Sequence, residues 1–295
     1  MKHIIYILVC LFFPVLSFAQ LDEMEDLLEN EMGERTDYAT ATFKSTRVIN
    51  GHSVERMQKG DLDFRISHRF GSVKTGAYEL FGIDHSTSLL SLEYGITDWL
   101  MLGIGRGTYK KTFSGFAKFS LLRQCSGAKN IPISASYLIG SELNSMHWLN
   151  PERDNYFSSR LSYIHQLLIA RKLNRRISLQ LSGLIVHRNL VETISENNDL
   201  YVAGIAGRIK ITNRLAFCSE YFYTFNNASN YTNPFSIGFD IETGSHVFQI
   251  HLTNTTAMQE AGFLGDTMDL WSEGNIHIGF NITRVFTLKK QEHDS

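Results

Sequence analysis

The chain has 295 residues, 20% of them charged and 43% hydrophobic, with a formal net charge of −2. So small a charge gives no electrostatic basis for binding nucleic acid. Beyond the first 20 residues no run approaches the roughly 18–20 apolar residues of a spanning helix, so helical membrane crossing is excluded as well.

Lys2 and His3 precede an apolar run, Ile4–Leu16, which ends in Ser17, Phe18 and Ala19. This is the pattern of a signal peptide over 1–19, cleaved after Ala19. The run continues past Cys10, which disfavours a lipoprotein. Residues 20–60 form a leader. Within it Leu21, Met24, Leu27, Leu28 and Met32 recur at helical spacing between acids. A short amphipathic helix or a solvated arm fits, the arm better.

From Ala39 the period changes to two. Strands are expected near 40–50, 61–71, 86–96, 99–107, 115–125, 131–141, 156–170, 176–187, 200–211, 214–225, 234–242, 246–254 and 275–286. Most are longer than the five or six residues usual in globular sheets and suit the roughly 9–11 of a tilted membrane strand. In "DLDFRISHRF" Leu62, Phe64, Ile66 and Phe70 share one parity with His68, while Asp61, Asp63, Arg65, Ser67 and Arg69 share the other. "SLLSLEYGI", "RISLQLS" and "NIHIGFNIT" divide in the same way.

Short turns, "ITDWL", "ARKLNRR", "ITNRL" and "IETGSH", alternate with longer connections near 72–85, 107–114, 142–155, 188–199, 226–233 and 255–274. Short turns at one end and long loops at the other are the arrangement of an outer-membrane barrel. If 61–71 runs outward, the count reaches twelve strands, and 96–100, 126–130, 171–175, 211–214 and 242–246 become periplasmic. The fold class is therefore all-β: a transmembrane antiparallel up-and-down barrel over 61–288, with a periplasmic or luminal N-terminal segment and a charged tail at 289–295. The segment 40–50 has no lipid-facing side, so it belongs inside the barrel or in the periplasm.

The stretches "ATFKSTRVINGHSVE", "GDLDFRISHRFG", "LEYGITDWLMLGIGR", "YIHQLLIARKL", "VHRNLV" and "PFSIGFDIETGSHVFQIHLTN" resemble the DUF5777 β-barrel proteins of Bacteroidetes over about residues 38–288. The resemblance implies an outer-membrane barrel of a Gram-negative bacterium and brings no activity. The chain departs from outer-membrane barrels in general at its end, where "KKQEHDS" follows the last aromatic, Phe286.

Asp61, Asp63, Arg65 and Arg69 read as a luminal ion-pair ladder, favoured over a metal pair. Arg160, Arg208, Lys210, Glu220 and Asp240 extend the mixed charge on the luminal parity. His68 and His165 lie on the apolar parity at membrane depth, where an ionisable group is a functional candidate by default. No serine motif accompanies them, and a structural role is favoured over catalysis or metal binding. His251 and His277 could share a metal but lack a third ligand at a recognisable spacing. "GIGRG" has no strand-to-helix context, so a nucleotide loop is excluded. Cys125 and Cys218 are expected to be unpaired. No catalytic residue, metal site or cofactor is assigned.

These readings favour a narrow channel or transport component for small polar solutes. The alternative is a filled barrel acting as an anchor or assembly partner for periplasmic proteins, with 20–60 as contact or plug. An outer-membrane enzyme is disfavoured. The expected partners are the lipid bilayer, the outer-membrane assembly machinery and a periplasmic protein.

Overall fold

The structure is a computed structural model that describes residues 35–288, apart from 149, 227, 229 and 245. The expected signal peptide over 1–19, the acidic stretch up to residue 34 and the expected charged tail 289–295 lie outside the described residues. The chain forms two compact units. In the smaller one, Thr36–Tyr38 pairs antiparallel with Cys125–Gly127.

The larger unit is a closed barrel of twelve antiparallel strands. In chain order these are β1 (Asp61–Ser72), β2 (Ser86–Gly95), β3 (Leu100–Gly107), β4 (Thr112–Leu122), β5 (Ser134–Asn144) and β6 (Leu161–Lys172). They continue with β7 (Ile177–Arg188), β8 (Asp199–Lys210), β9 (Leu215–Thr224), β10 (Phe235–Thr243), β11 (His246–Thr253) and β12 (His277–Thr287). Each strand pairs with the next, and β12 closes on β1 with Ile282 opposite Ile66 and Thr283 opposite Arg65. Closure leaves no unpaired edge, which a sheet in hydrocarbon requires because each orphaned backbone group costs several kcal/mol there.

Alternation separates two faces. Leu92, Ile104, Ile139, Leu181, Ile205 and Ile250 point outward and are exposed. Asp63, Arg65, Glu93, Lys118, Gln180 and Glu220 point inward and are buried. An apolar exterior around a polar interior is the inverse of a soluble barrel and matches a lipid environment.

Two connections differ from expectation. Residues 108–111 make a tight link between β3 and β4, where a long loop was expected. Residues 123–133 join β4 to β5 where a short turn was expected, and they hold the strand that belongs to the smaller unit. β4 and β5 are accordingly displaced from 115–125 and 131–141, with Thr112 opposite Asn144 in register.

The "GIGRG" glycines serve packing. Gly103, Gly105 and Gly107 lie on the inward parity of β3. A Cβ at Gly103 would collide with the Phe116 ring, and one at Gly107 with the Gln259 amide.

Candidate functional site

The lumen is filled by the chain itself. Residues 40–50, expected as a strand, form no strand in the structure. Residues 40–60 instead fold as an irregular plug, and Thr46–Val54 is buried without interruption. Its tip is a tight reversal: Val48 N–H donates to Gly51 O at 2.8 Å and Ser53 N–H to Thr46 O at 2.9 Å. Asn50-Gly51 suits such a turn. A Cβ at Gly51 would strike the Phe222 ring.

Backbone groups inside a barrel need partners as much as those in a core, and here the wall side chains supply them. Glu220 on β9 accepts from Asn50, Ile49 and Gly51 N–H at 2.7, 3.1 and 3.2 Å. Lys118 Nζ on β4 donates to the Thr46, Ser53 and Glu55 carbonyls at 3.2, 3.1 and 3.0 Å. Gln180 on β7 accepts from Val54 N–H at 2.7 Å and donates to His52 O at 2.8 Å. Gln249 and Asn281 donate to Val48 O and Ile49 O. Arg69 Nη2 donates to Asn50 Oδ1 at 2.7 Å, and Arg65 Nη2 to Thr46 Oγ1 at 2.8 Å. The apolar part is small: Phe43, Val48, Ile49 and Val54 meet Ala170, Ala206 and Cys218.

The other filling is different in kind. Loop 254–276 folds into the opposite mouth, where α1 (Glu260–Gly265) buries Phe263 and Leu264 completely. They pack on inward-facing Ile164, Leu184, Val186, Leu200, Val202 and Phe222. Glu142 on β5 caps this helix by accepting Ala261 N–H at 3.2 Å. The two fillings meet at Arg47, whose Nη1 donates to Glu260 Oε1 at 2.9 Å and to Asn50 O at 2.7 Å. His52 Nε2 lies 3.5 Å from the same Glu260 oxygen. Burial, reinforced by the neighbouring Arg47, Lys118 and Arg65, pushes the His52 imidazole well below its ordinary pKa, so it is neutral.

The structure places the sequence candidates unevenly. Asp63, Arg65, Arg69, Arg208, Glu220 and Asp240 are buried inside the barrel. They do not form one ladder: Asp63 pairs with Arg65 at 3.4 Å, whereas Arg69 is bonded to Asn50, Asn281 and the His68 carbonyl. Arg208 bridges Asp240 and Glu242 at 3.7 and 2.6 Å. Asp61 sits at the rim and accepts from Thr287 Oγ1, and Lys210 is the half-buried last residue of β8. Arg160 leaves the set altogether. It belongs to the turn Phe157–Arg160 before β6, where its guanidinium lies 3.9 Å from the centre of the Trp148 ring and bonds the Asn144 carbonyl. The strand starts at Leu161, so Arg160 lies outside its alternation.

The residues missed were Glu93, Lys118, Glu142 and Gln180 on the wall and Arg47 on the plug. The wall residues stand on the inward parity of their strands, a signal present in the sequence. The role of Arg47 depends on contacts with residues far along the chain.

His68 and His165 both face outward. His68 Nδ1 is 2.9 Å from Ser88 Oγ, and its ring stacks on Phe280. His165 Nδ1 is 2.7 Å from Tyr137 OH. Among the described residues no carboxylate touches either ring. Replacing both with alanine is expected to cost about 1 kcal/mol per lost hydrogen bond and to leave assembly intact, as read by a heat-modifiable gel shift. Lipid hydrolysis lost on that substitution would assign them catalysis instead. His251 and His277 do not converge on a common ligand: His277 is held by Asp269 at 2.8 Å and by Phe70 O. Cys125 and Cys218 are buried and unpaired, and Cys218 Sγ donates to Asp240.

No curated protein matches the chain. Among solved structures, the chain is similar to the NanC porin at 9% identity, covering 78% of this chain and 100% of that one, with a TM-score of 0.48. It is similar to the KdgM porin at 9% identity, covering 77% and 99%, with a TM-score of 0.47. An outer membrane channel from Pseudomonas putida F1 is 15% identical over 79% and 98%, with a TM-score of 0.48. The apolar outer wall and closed twelve-strand ladder agree with the match of residues 43–286 to the membrane bound beta barrel domain DUF5777, and the chain belongs to that family.

Proposed function

We propose that the protein is an outer-membrane barrel that serves as a narrow, gated route for small polar solutes, closed at rest by residues 40–60. One observation carries the reading: the plug is held chiefly by hydrogen bonds between wall side chains and its backbone. Such bonds are worth about 0.5–1.5 kcal/mol net each, or about 1.5–3 where a charged group takes part, because water replaces them on release. The polar wall left behind is one that water can wet. The short-turn end is read as periplasmic and the loop end as external. The plug then enters from the periplasm, beside the Lys172 ammonium that holds Thr40 O at 2.7 Å. A periplasmic protein could draw it out there, and the assembly machinery of the outer membrane would insert the barrel. The substrate is left at the level of small polar solutes.

The apolar packing around Phe263 and Leu264 favours a second reading, a filled barrel acting as an anchor or assembly partner for periplasmic proteins. Planar-bilayer conductance separates the two. The purified chain lacking 40–60 is expected to conduct and the complete chain to stay near baseline. Absence of conductance in both would favour the filled barrel.

A further inference from the structure

The plug carries one buried cation into the middle of the barrel, and it lands among carboxylates. Arg47 is 6% exposed. Its Nη1 lies 2.9 Å from Glu260 Oε1 on α1, and its Nε lies 3.9 Å from Glu93 Oε1 on β2. Glu142 on β5 lines the same small cavity as Arg47, His52 and Glu260. Glu93 is completely buried, and neither of its carboxylate oxygens receives a hydrogen bond among the described residues. The Arg47 Nε–H is likewise left without an acceptor there.

While the plug is seated, the hydrogen bonds of the neighbouring cations go to groups other than Glu93. The Lys118 ammonium is bonded to three plug carbonyls, and Arg65 is shared between Asp63 and the plug hydroxyls of Ser45 and Thr46. With Arg47 seated, the acidic side chains Asp63, Glu93, Glu142 and Glu260 face the cations Arg47, Arg65 and Lys118. With Arg47 withdrawn, the same four face two. A buried ion pair adds little stability over an apolar pair of the same size, so fold stability alone does not account for an excess of buried acid around one guanidinium. A planar fork of N–H donors is what such a set of carboxylates recognises best.

We propose that Glu93, Glu142 and Glu260 form a cation-recognition site at the centre of the lumen, that Arg47 occupies it as a built-in mimic, and that small solutes bearing a guanidinium group compete for it. This rests on the gated-route reading, since release of the plug is what frees the site. The plug is then both a closure and a competitor.

The test uses the full chain folded in detergent micelles, with methylguanidinium chloride as probe and sodium chloride as the ionic control. The Arg47→Ala protein is expected to bind the probe in calorimetric titration at least about tenfold more tightly than wild type. The probe is also expected to raise the heat midpoint of its gel shift above that in equal sodium chloride. In R47A/E260Q both effects should be lost. Equal response of R47A to the two salts, or undiminished probe binding in R47A/E260Q, would overturn the proposal. Should R47A fail to fold, Arg47→Gln, which keeps most of the volume, takes its place under the same criteria. A chain lacking 40–60 that does not conduct would remove the transport reading and leave this binding result standing, so the two failures are distinguishable.

Discussion

Glu220→Ala is expected to release the plug while leaving the barrel closed on itself. Among the described residues, the Glu220 carboxylate is the single wall group that collects three consecutive backbone N–H donors, those of Ile49, Asn50 and Gly51. Truncation leaves those donors unpaired wherever the plug stays seated. Each buried donor left unpaired costs about 1–3 kcal/mol, so the three together cost about 3 kcal/mol or more. At 1.4 kcal/mol per factor of ten, the released population rises roughly 100-fold or more. Trypsin reads this at Arg47, which is buried while the plug is seated, whereas Lys44 and Lys59 are exposed throughout. Cleavage there should accelerate by about that factor, while the heat-modifiable shift of the barrel persists. E220Q keeps the shape and loses the charge, so it should fall between. Cleavage of E220A no faster than wild type would show that Glu220 does not hold the plug.

The second large effect concerns the outer wall. Ile205 lies in the middle of β8, between Leu181 on β7 and Tyr221 on β9 in register, and is 52% exposed on the outward face. If that face meets lipid, Ile205→Arg costs about 2–4 kcal/mol at the bilayer midplane. Ile211, just beyond the end of β8, sits at the turn rim, where the same change costs about 0–1 kcal/mol. Chemical unfolding from lipid vesicles should therefore show a steep loss for I205R and little for I211R. Equal costs would mean that depth does not matter and that the outward face is not a lipid face.

The barrel was legible in sequence because alternation is a local signal. Once Asp63, Arg65 and Arg69 share a parity opposite Phe64, Ile66 and Phe70, the two faces of β1 follow, and the same pattern repeats strand by strand. Alternation locates boundaries poorly. "TFSGFAKFSLL" alternates only in part, with Phe116 on the parity of Ser114 and Lys118, so its register against β5 rather than its pattern fixes Thr112 as the start. It also misread 40–50 as a strand. "TATFKSTRV" is rich in β-formers, yet its backbone groups are satisfied by side chains such as Lys118 and Glu220, far along the chain, rather than by a neighbouring strand. The candidate site divides in the same way. Glu220 could be seen to face inward, whereas its three N–H partners could not. Arg47 gave no local sign of its position beside Glu260, because that contact joins opposite ends of the chain and forms only when the barrel closes around both.

The central claim is that release of residues 40–60, with loop 254–276 still packed in the opposite mouth, opens the lumen. Bilayer conductance of the complete chain, of E220A and of the chain lacking 40–60, recorded side by side, tests it most directly. The expected order is near-baseline current, intermittent openings and sustained conductance. A silent chain without 40–60, or equal conductance in all three, would contradict it.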